Sequence, residues 1–411
     1  MSGVFPIPRS AWLAGLAVAV FLLGTLVGAL LPDGDREAAG GGAPGGSSAP
    51  APAASGAPPS GIDPSGIPSS RPPDDSPSPT SADGGNDDKG SDRKPVNEPG
   101  WERTAVAGKS RLPDARAVSC PPATTTVTTA ESLAAALTAA SPGDVIGLAD
   151  GVYRGAFVAS VSGSAQQPIF LCGPRGAVLE NEGPRSGYVL HLKQASHWRL
   201  IGFSVRQGQK GVMADGTVGS VIQGLNVTDI GDEAIHLRNF STDNVVSDNE
   251  ISRTGLRREK FGEGVYIGTA VSNWCTISNC RPDRSDRNVV VGNRIDTTTA
   301  EAVDIKEGTT GGLVQDNVFD GSALSGADSW VDVKGTAWLI QGNTGTASPR
   351  DGFQTHEILE GWGARNQFRG NQATVNGSGY GFALTPVAGN TVSCDNTATG
   401  AAQGLANVPC T

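Results

Sequence analysis

Four ionisable side chains, Glu301, Asp304, Lys306 and Glu307, crowd into the stretch EAVDIKEG. Ala302, Val303 and Ile305 lie between them, so the stretch reads as a short strand with alternate side chains buried. Such a cluster is either a solvated sheet face or a site where charge does chemistry. Its carboxylates have the hard oxygen character that suits calcium. Lys306 can act as a base only if a second ammonium or partial burial lowers its pKa from about 10.4 toward neutrality.

The same strand pattern recurs in EAIHLR (Glu233 to Arg238), EGVYIG (Glu263 to Gly268) and SWVDVK (Ser329 to Lys334). Strand alternation points Ile235/Leu237, Val265/Ile267, Val303/Ile305 and Val331/Val333 inward. One outward row is then His236, Tyr266, Asp304 and Asp332; the next is Arg238, Gly268, Lys306 and Lys334. Lys334 beside Lys306 supplies the repulsion that would neutralise an amine, whereas Asp304, Asp332 and Glu307 oppose it. Glu263 and Glu233 precede their strands as Glu301 does, either as ligands or as turn-shaping residues. The plain alternative is that Asp and Lys on an exposed face pair across strands and keep it soluble.

A second series fixes the architecture. VVSDNEI, VVVGNRI, LVQDNVF, LIQGNTG and NQFRGNQ each place an apolar pair or an aromatic before a turn centred on Asn249, Asn293, Asn317, Asn343 or Asn371. Repetition at this interval identifies a solenoid, and the Asn series is expected to be structural, its stacked amides satisfying turn backbones. One longer interval contains Cys275 and Cys280. Ahead of the repeats, Thr128 and Glu131 have capping-box spacing, which predicts a short Ala/Leu helix ending before Pro142 and Gly143.

The chain has 411 residues, a net charge of −10, 57 Gly and 27 Pro, so it is not uniformly globular. Residues 11–31 carry no charge and are long enough to cross a bilayer, either as a retained anchor or as a long signal peptide. The anchor is the favoured reading, because no small-x-small cleavage site follows directly. Arg9 before the segment and acidic residues after it leave residues 1–10 in the cytoplasm and the rest outside. Residues 32–112, rich in Pro, Gly, Ser and Asp, read as a disordered spacer with an r.m.s. span of roughly 50 Å. Residues 113–411 form the folded domain. Its six cysteines favour disulfides; closeness in sequence pairs Cys275 with Cys280 and Cys394 with Cys410, leaving Cys120 with Cys172.

The segment LAAALTAASPGDVIGLADGVYRGAFVASVSGSAQQPIFLCGP resembles the cap and first coils of right-handed parallel β-helices, especially polysaccharide lyases of the chondroitinase B and alginate lyase type and, more distantly, pectate lyases. The resemblance covers roughly residues 125–400 and implies an all-β, right-handed parallel β-helix with a short N-terminal capping helix. It also implies a calcium-binding Glu five positions before a catalytic Lys, which Glu301 and Lys306 match. Two departures are Thr299, where that pattern has a second Glu, and Lys334, where it has Arg. By this reading Lys306 and Lys334 are catalytic, with His356 as an alternative acid or base, and Glu301, Asp304, Asp332 and Glu263 hold calcium. His236, Arg238, Tyr266, Arg258 and Trp330 contact substrate, while Trp274 and Trp362 line the cleft or cap the core.

Arginines in two loops, Arg253, Arg257 and Arg258 and then Arg281, Arg284 and Arg287, either overhang the same face to meet an acidic ligand or are ordinary solvated charge. The expected activity is β-elimination on a uronate-containing polysaccharide by a membrane-tethered, extracellular protein that acts as a monomer, with secretion as the alternative location. A non-catalytic carbohydrate-binding protein and a β-helical glycoside hydrolase are the rivals; the second is weakened because DDC and GHG signatures are absent. The acidic chain carries no nucleic-acid recognition motif.

Overall fold

A computed structural model describes residues 111–411. The segments assigned above to a membrane helix (11–31) and, but for its last two residues, to a spacer (32–112) lie outside the described residues. Among the described residues, no helix is long and apolar enough to cross a membrane.

Every coil contributes one strand to each of three sheets, of eleven, ten and ten strands, and every strand pairing is parallel. The chain is thus a right-handed parallel β-helix. Most strands are only three residues long because each run of apolar residues stops at a corner that needs a left-handed backbone. Asp248, Gly292, Asp316, Gly342 and Gly370 all have φ between 52° and 68°, and each directly precedes a ladder asparagine. Gly and Asp tolerate that conformation; the β-branched residues around them do not.

Behind each corner the asparagines stack. The Asn293 backbone N–H and side-chain amide both donate to Asn317 Oδ1 at 2.9 Å. Asn317 in turn donates to Val290 O at 3.0 Å and Asn343 Oδ1 at 2.9 Å, and the row runs from Asn249 to Asn396. A second ladder at another corner, Asn244 with Asn288 and Asn366 with Asn390, works the same way. Asn317→Ala strands fully buried donors and acceptors, each costing about 1–3 kcal/mol. Urea unfolding is expected to show a loss of at least that size; an unchanged midpoint would mean that the amides do not carry the corner.

Inside the coils, Val265, Val303 and Val331 lie in register, as do Ile267, Ile305 and Val333, all fully buried. Phe353 stacks on Phe382 at 5.1 Å, and the Trp330 ring meets Phe353 edge-on at 5.6 Å. Trp330, expected against sugar, is therefore a core residue: it is fully buried, and its Nε1 donates to the carbonyls of Thr346 and Ala347. Trp274 and Trp362 are buried as well. An indole buries its large apolar body where its N–H finds a partner, and for Trp330 the coil interior offers both.

The capping helix spans Ala130–Ala139, and its box is one residue later than expected, formed by Thr129 and Ser132. Cys120–Cys172, Cys275–Cys280 and Cys394–Cys410 are all bonded. The first ties the N-terminal segment down, where Leu112, Ala115 and Val118 pack on the outward valines Val221, Val245 and Val289.

Candidate functional site

Strand register builds the site. The strands Tyr188–Lys193, Lys210–Asp215, Ile235–Arg238, Val265–Ile267, Val303–Ile305, Val331–Val333 and Phe353–Thr355 are consecutive in one sheet. Their outward side chains form the row His191, Met213, His236, Tyr266, Asp304, Asp332 and Gln354. Adjacent members are roughly 4.8 Å apart along the helix axis. Two residues on, Lys306, Lys334 and His356 continue the column begun by Lys193, Asp215 and Arg238. The inward and outward assignments made from alternation agree with this register.

Asp304 is the hub. It lies 2.6 Å from Lys306 Nζ and 2.8 Å from Lys334 Nζ, and is almost fully buried. Lys334 also contacts Asp332 at 2.7 Å and lies 3.9 Å from Glu301. Burial disfavours charge on both lysines, but the surrounding carboxylates outweigh it. Lys306 is raised well above its ordinary value by Asp304, Glu307, Glu301 and Glu263, and Lys334 by Asp304 and Asp332. The neutral Lys306 expected as a base is thus the disfavoured form: Lys334 adjoins it, but the carboxylates prevail over that repulsion.

Tyr266 is half-buried, with Lys306 Nζ 4.9 Å from its ring centroid and His236 edge-on at 4.4 Å. Burial, then Asp304, Glu263 and Glu233, push its phenol well above the ordinary range. His236 is itself buried; its Nε2 bonds Gly268 O at 3.0 Å, and burial lowers its pKa well below the usual value. It is a neutral packing partner for Tyr266 instead of the substrate contact expected. His356 is partly exposed, and its Nδ1 bonds Asp332 at 2.8 Å, which raises its pKa. Three coils separate it from Tyr266, roughly 14 Å, so the two cannot act on one glycosidic bond.

Glu263, Glu301 and Asp304 bring one carboxylate oxygen each to within 4.8 Å of one another. Glu263 Oε2 is buried and has no hydrogen-bond partner. The all-oxygen donor set and this orphaned atom fit a hard divalent cation such as calcium. Asp332, expected as a fourth ligand, is committed to Lys334 and His356 and stands outside the cluster. Burial and then the Asp304 charge raise Glu301 to about 7, and burial raises Glu263 well above its usual value. A carboxyl raised in the fold binds protons that the unfolded chain has already lost, so its stabilising effect disappears as pH rises. Between pH 4.5 and about 7, ionisation of Glu301 is expected to cost on the order of 3 kcal/mol in chelator. Thermal midpoints should fall across that window in chelator and fall less in calcium; coincident curves would remove the cation from this cluster.

The remaining expected residues are dispersed. Arg238 sits on Asp215 at 2.7 Å and reaches the Tyr188 hydroxyl at 3.3 Å. Arg258 lies over the Phe261 ring, 5.7 Å from its centroid, in the loop before Val265. Arg253, Arg257, Arg284 and Arg287 pair with Asp229, Asp232, Asp286 and Asp243, and so belong to inter-coil and loop ion pairs more than to an overhang awaiting ligand. Sequence reasoning passed over His191 and Asp215, which bond at 2.8 Å, and Lys210, the buried partner of Glu233. A signal was there: YVLHLK at Tyr188 to Lys193 has the pattern of EAIHLR two coils on.

A parallel β-helix carrying a charged, outward-facing row of Tyr, Asp and Lys defines the class of β-helical, polysaccharide lyase-like proteins. The chain belongs to the family of the alginate lyase from Paenibacillus sp. str. FPU-7: the two share 35% identity with a TM-score of 0.64, over 70% of this chain and 100% of that one. A pectate lyase (14% identity, TM-score 0.45, 67% of this chain and 72% of that one) and a PL6-family alginate lyase (17%, 0.34, 65% and 40%) add nothing to that assignment. No protein-family model matches the sequence, and no curated protein matches it.

Proposed function

We propose that the protein cleaves an acidic, uronate-containing polysaccharide, alginate being the first candidate, by β-elimination. The observation that carries this is the juxtaposition of Tyr266 and Lys306 on one outward face of a chain 35% identical to an alginate lyase. The reaction removes the ring proton next to the uronate carboxylate, forms a ring double bond and breaks the bond to the glycosidic oxygen, which takes up a proton. It needs an acid, a base and positive charge at the carboxylate.

Lys306 is the acid, because its surroundings hold it as an ammonium where an ordinary amine would begin to lose its proton. Tyr266 on the neighbouring coil is the base, acting through the minority of its phenol that is ionised, since burial and the carboxylates favour the protonated form. Lys334 adds positive charge to the face, and His356, whose pKa the Asp332 carboxylate raises, engages the glycan further along. Glu263, Glu301 and Asp304 are the residues that would hold calcium. A cation held there would supply positive charge to the Tyr266 face and help to neutralise a uronate carboxylate.

The test is to incubate the full chain with a panel of uronate polymers, in calcium and in chelator, and follow the ultraviolet absorbance of the new double bond. Absorbance growth with at least one polymer is expected. Binding without any product would leave a carbohydrate-binding protein instead. Export to an oxidising compartment belongs to the same proposal and is supported by three disulfides and no free cysteine among the described residues. Tethering through residues 11–31 and an extracellular domain are tested by membrane fractionation and by protease added to intact cells.

A further inference from the structure

Upstream of Tyr266, the same sheet carries a cleft of about 240 Å³ lined by His191, Lys193, Asp215, Arg238, Asn239 and Thr276, among others. The strand register puts Lys193, Asp215 and Arg238 in one column, and Lys306 continues it two coils beyond Arg238, roughly 10 Å away. Lys193 is roughly 19 Å from Lys306 by the same measure.

The cleft is a built feature. Asp215 bonds both His191 at 2.8 Å and Arg238 at 2.7 Å, so its charge is already compensated. Lys193 is exposed and makes no ion pair among the described residues, which leaves the cleft with excess positive charge. Its far wall, Thr276, comes from the Cys275–Cys280 loop. Asp283 pins that loop: fully buried, it accepts from the backbone N–H groups of Asn239 and Phe240 and from the Thr269 and Ser285 hydroxyls.

We propose that this cleft is a remote subsite for an acidic sugar, so that the protein grips a stretch of several uronates crossing the coils and prefers long chains to short ones. The proposal rests on the lyase reading for its ligand, yet its test is a binding measurement that needs no turnover. Uronates carry a carboxylate on every residue, and a cationic cleft in line with the reaction centre meets one of them at a fixed distance.

The test uses the full chain in a Tyr266→Phe background, with alginate oligomers of two lengths: one spanning only the Tyr266–Lys306 region and one long enough to reach Lys193. Thr276 is exposed, so substitutions there are expected to fold. Thr276→Glu should weaken the long oligomer about fivefold and Thr276→Lys should strengthen it by a similar factor, the scale of one exposed charge pair. Lys193→Gln should weaken the long oligomer and reduce the advantage of length. A purely structural effect would move both Thr276 variants the same way. That result, equal affinity for both lengths, or no binding of either, would overturn the subsite. Length-dependent binding with no product from the unsubstituted protein would overturn only the lyase reading.

Discussion

Tyr266→Phe is expected to lower kcat by about 10²–10⁴, the usual contribution of a positioned acid or base, while leaving thermal stability nearly intact. Phenylalanine keeps the ring that packs on His236 at 4.4 Å and underlies the Lys306 ammonium, so the loss isolates the hydroxyl. The pH profile separates a proton-transfer role from a mere hydrogen bond. Burial and nearby carboxylates raise the phenol, so its ionised, proton-accepting form stays a minority even at the ordinary phenol value of about 10 and grows steadily as pH rises. The carboxylates also keep Lys306 protonated well past its ordinary range, so acid and base coexist at alkaline pH. Turnover should therefore climb as pH rises above neutral, and calcium should shift the rise to lower pH by offsetting the carboxylate charge. A Phe variant that retained both the rate and the alkaline rise would exclude Tyr266 as the base.

The fold was legible because the solenoid writes its corners into local sequence. The dipeptides Asp248–Asn249, Gly292–Asn293, Asp316–Asn317 and Gly342–Asn343 combine a residue that accepts positive φ with an amide that stacks on the next coil. Both requirements are local, and each recurs once per coil. The outward row was legible for the same reason, since register and alternation follow once the coils are aligned. The second ladder, Asn244 with Asn288 and Asn366 with Asn390, escaped notice because the series is interrupted: Gly312 and Trp338 stand before the two runs between them.

Charge state was not legible in the same way. The sequence sets Lys334 beside Lys306 and equally sets Asp304 and Asp332 beside both; the outcome depends on distances of a few tenths of an ångström and on burial. Asp304 is almost fully buried and touches both ammonium groups, which decides the balance for protonated lysine. Trp330 was misplaced on similar grounds. It directly precedes the inward Val331, at a strand edge where a tryptophan can turn either way, and the hydrogen bonds of its Nε1 to Thr346 and Ala347 turn it inward.

The two lysines part company when each is replaced. Lys334 is the more deeply enclosed, held by Asp304 and Asp332, with Glu301 nearby. Lys334→Met leaves those carboxylates buried with less compensation and is expected to cost about 3–5 kcal/mol of stability. Lys306→Met removes one of the two ammonium groups on Asp304 and leaves the other, so its stability loss should be smaller and its effect on turnover larger, about 10²–10⁴ in kcat. Lys306→Arg then separates charge from proton donation. A guanidinium keeps the positive charge but releases a proton far less readily than an ammonium. If Lys306 is the acid, the arginine variant binds uronate oligomers yet remains as slow as the methionine variant. If Lys306 serves only to neutralise the substrate carboxylate, arginine restores most of the rate, and the acid must be sought elsewhere on the Tyr266 face.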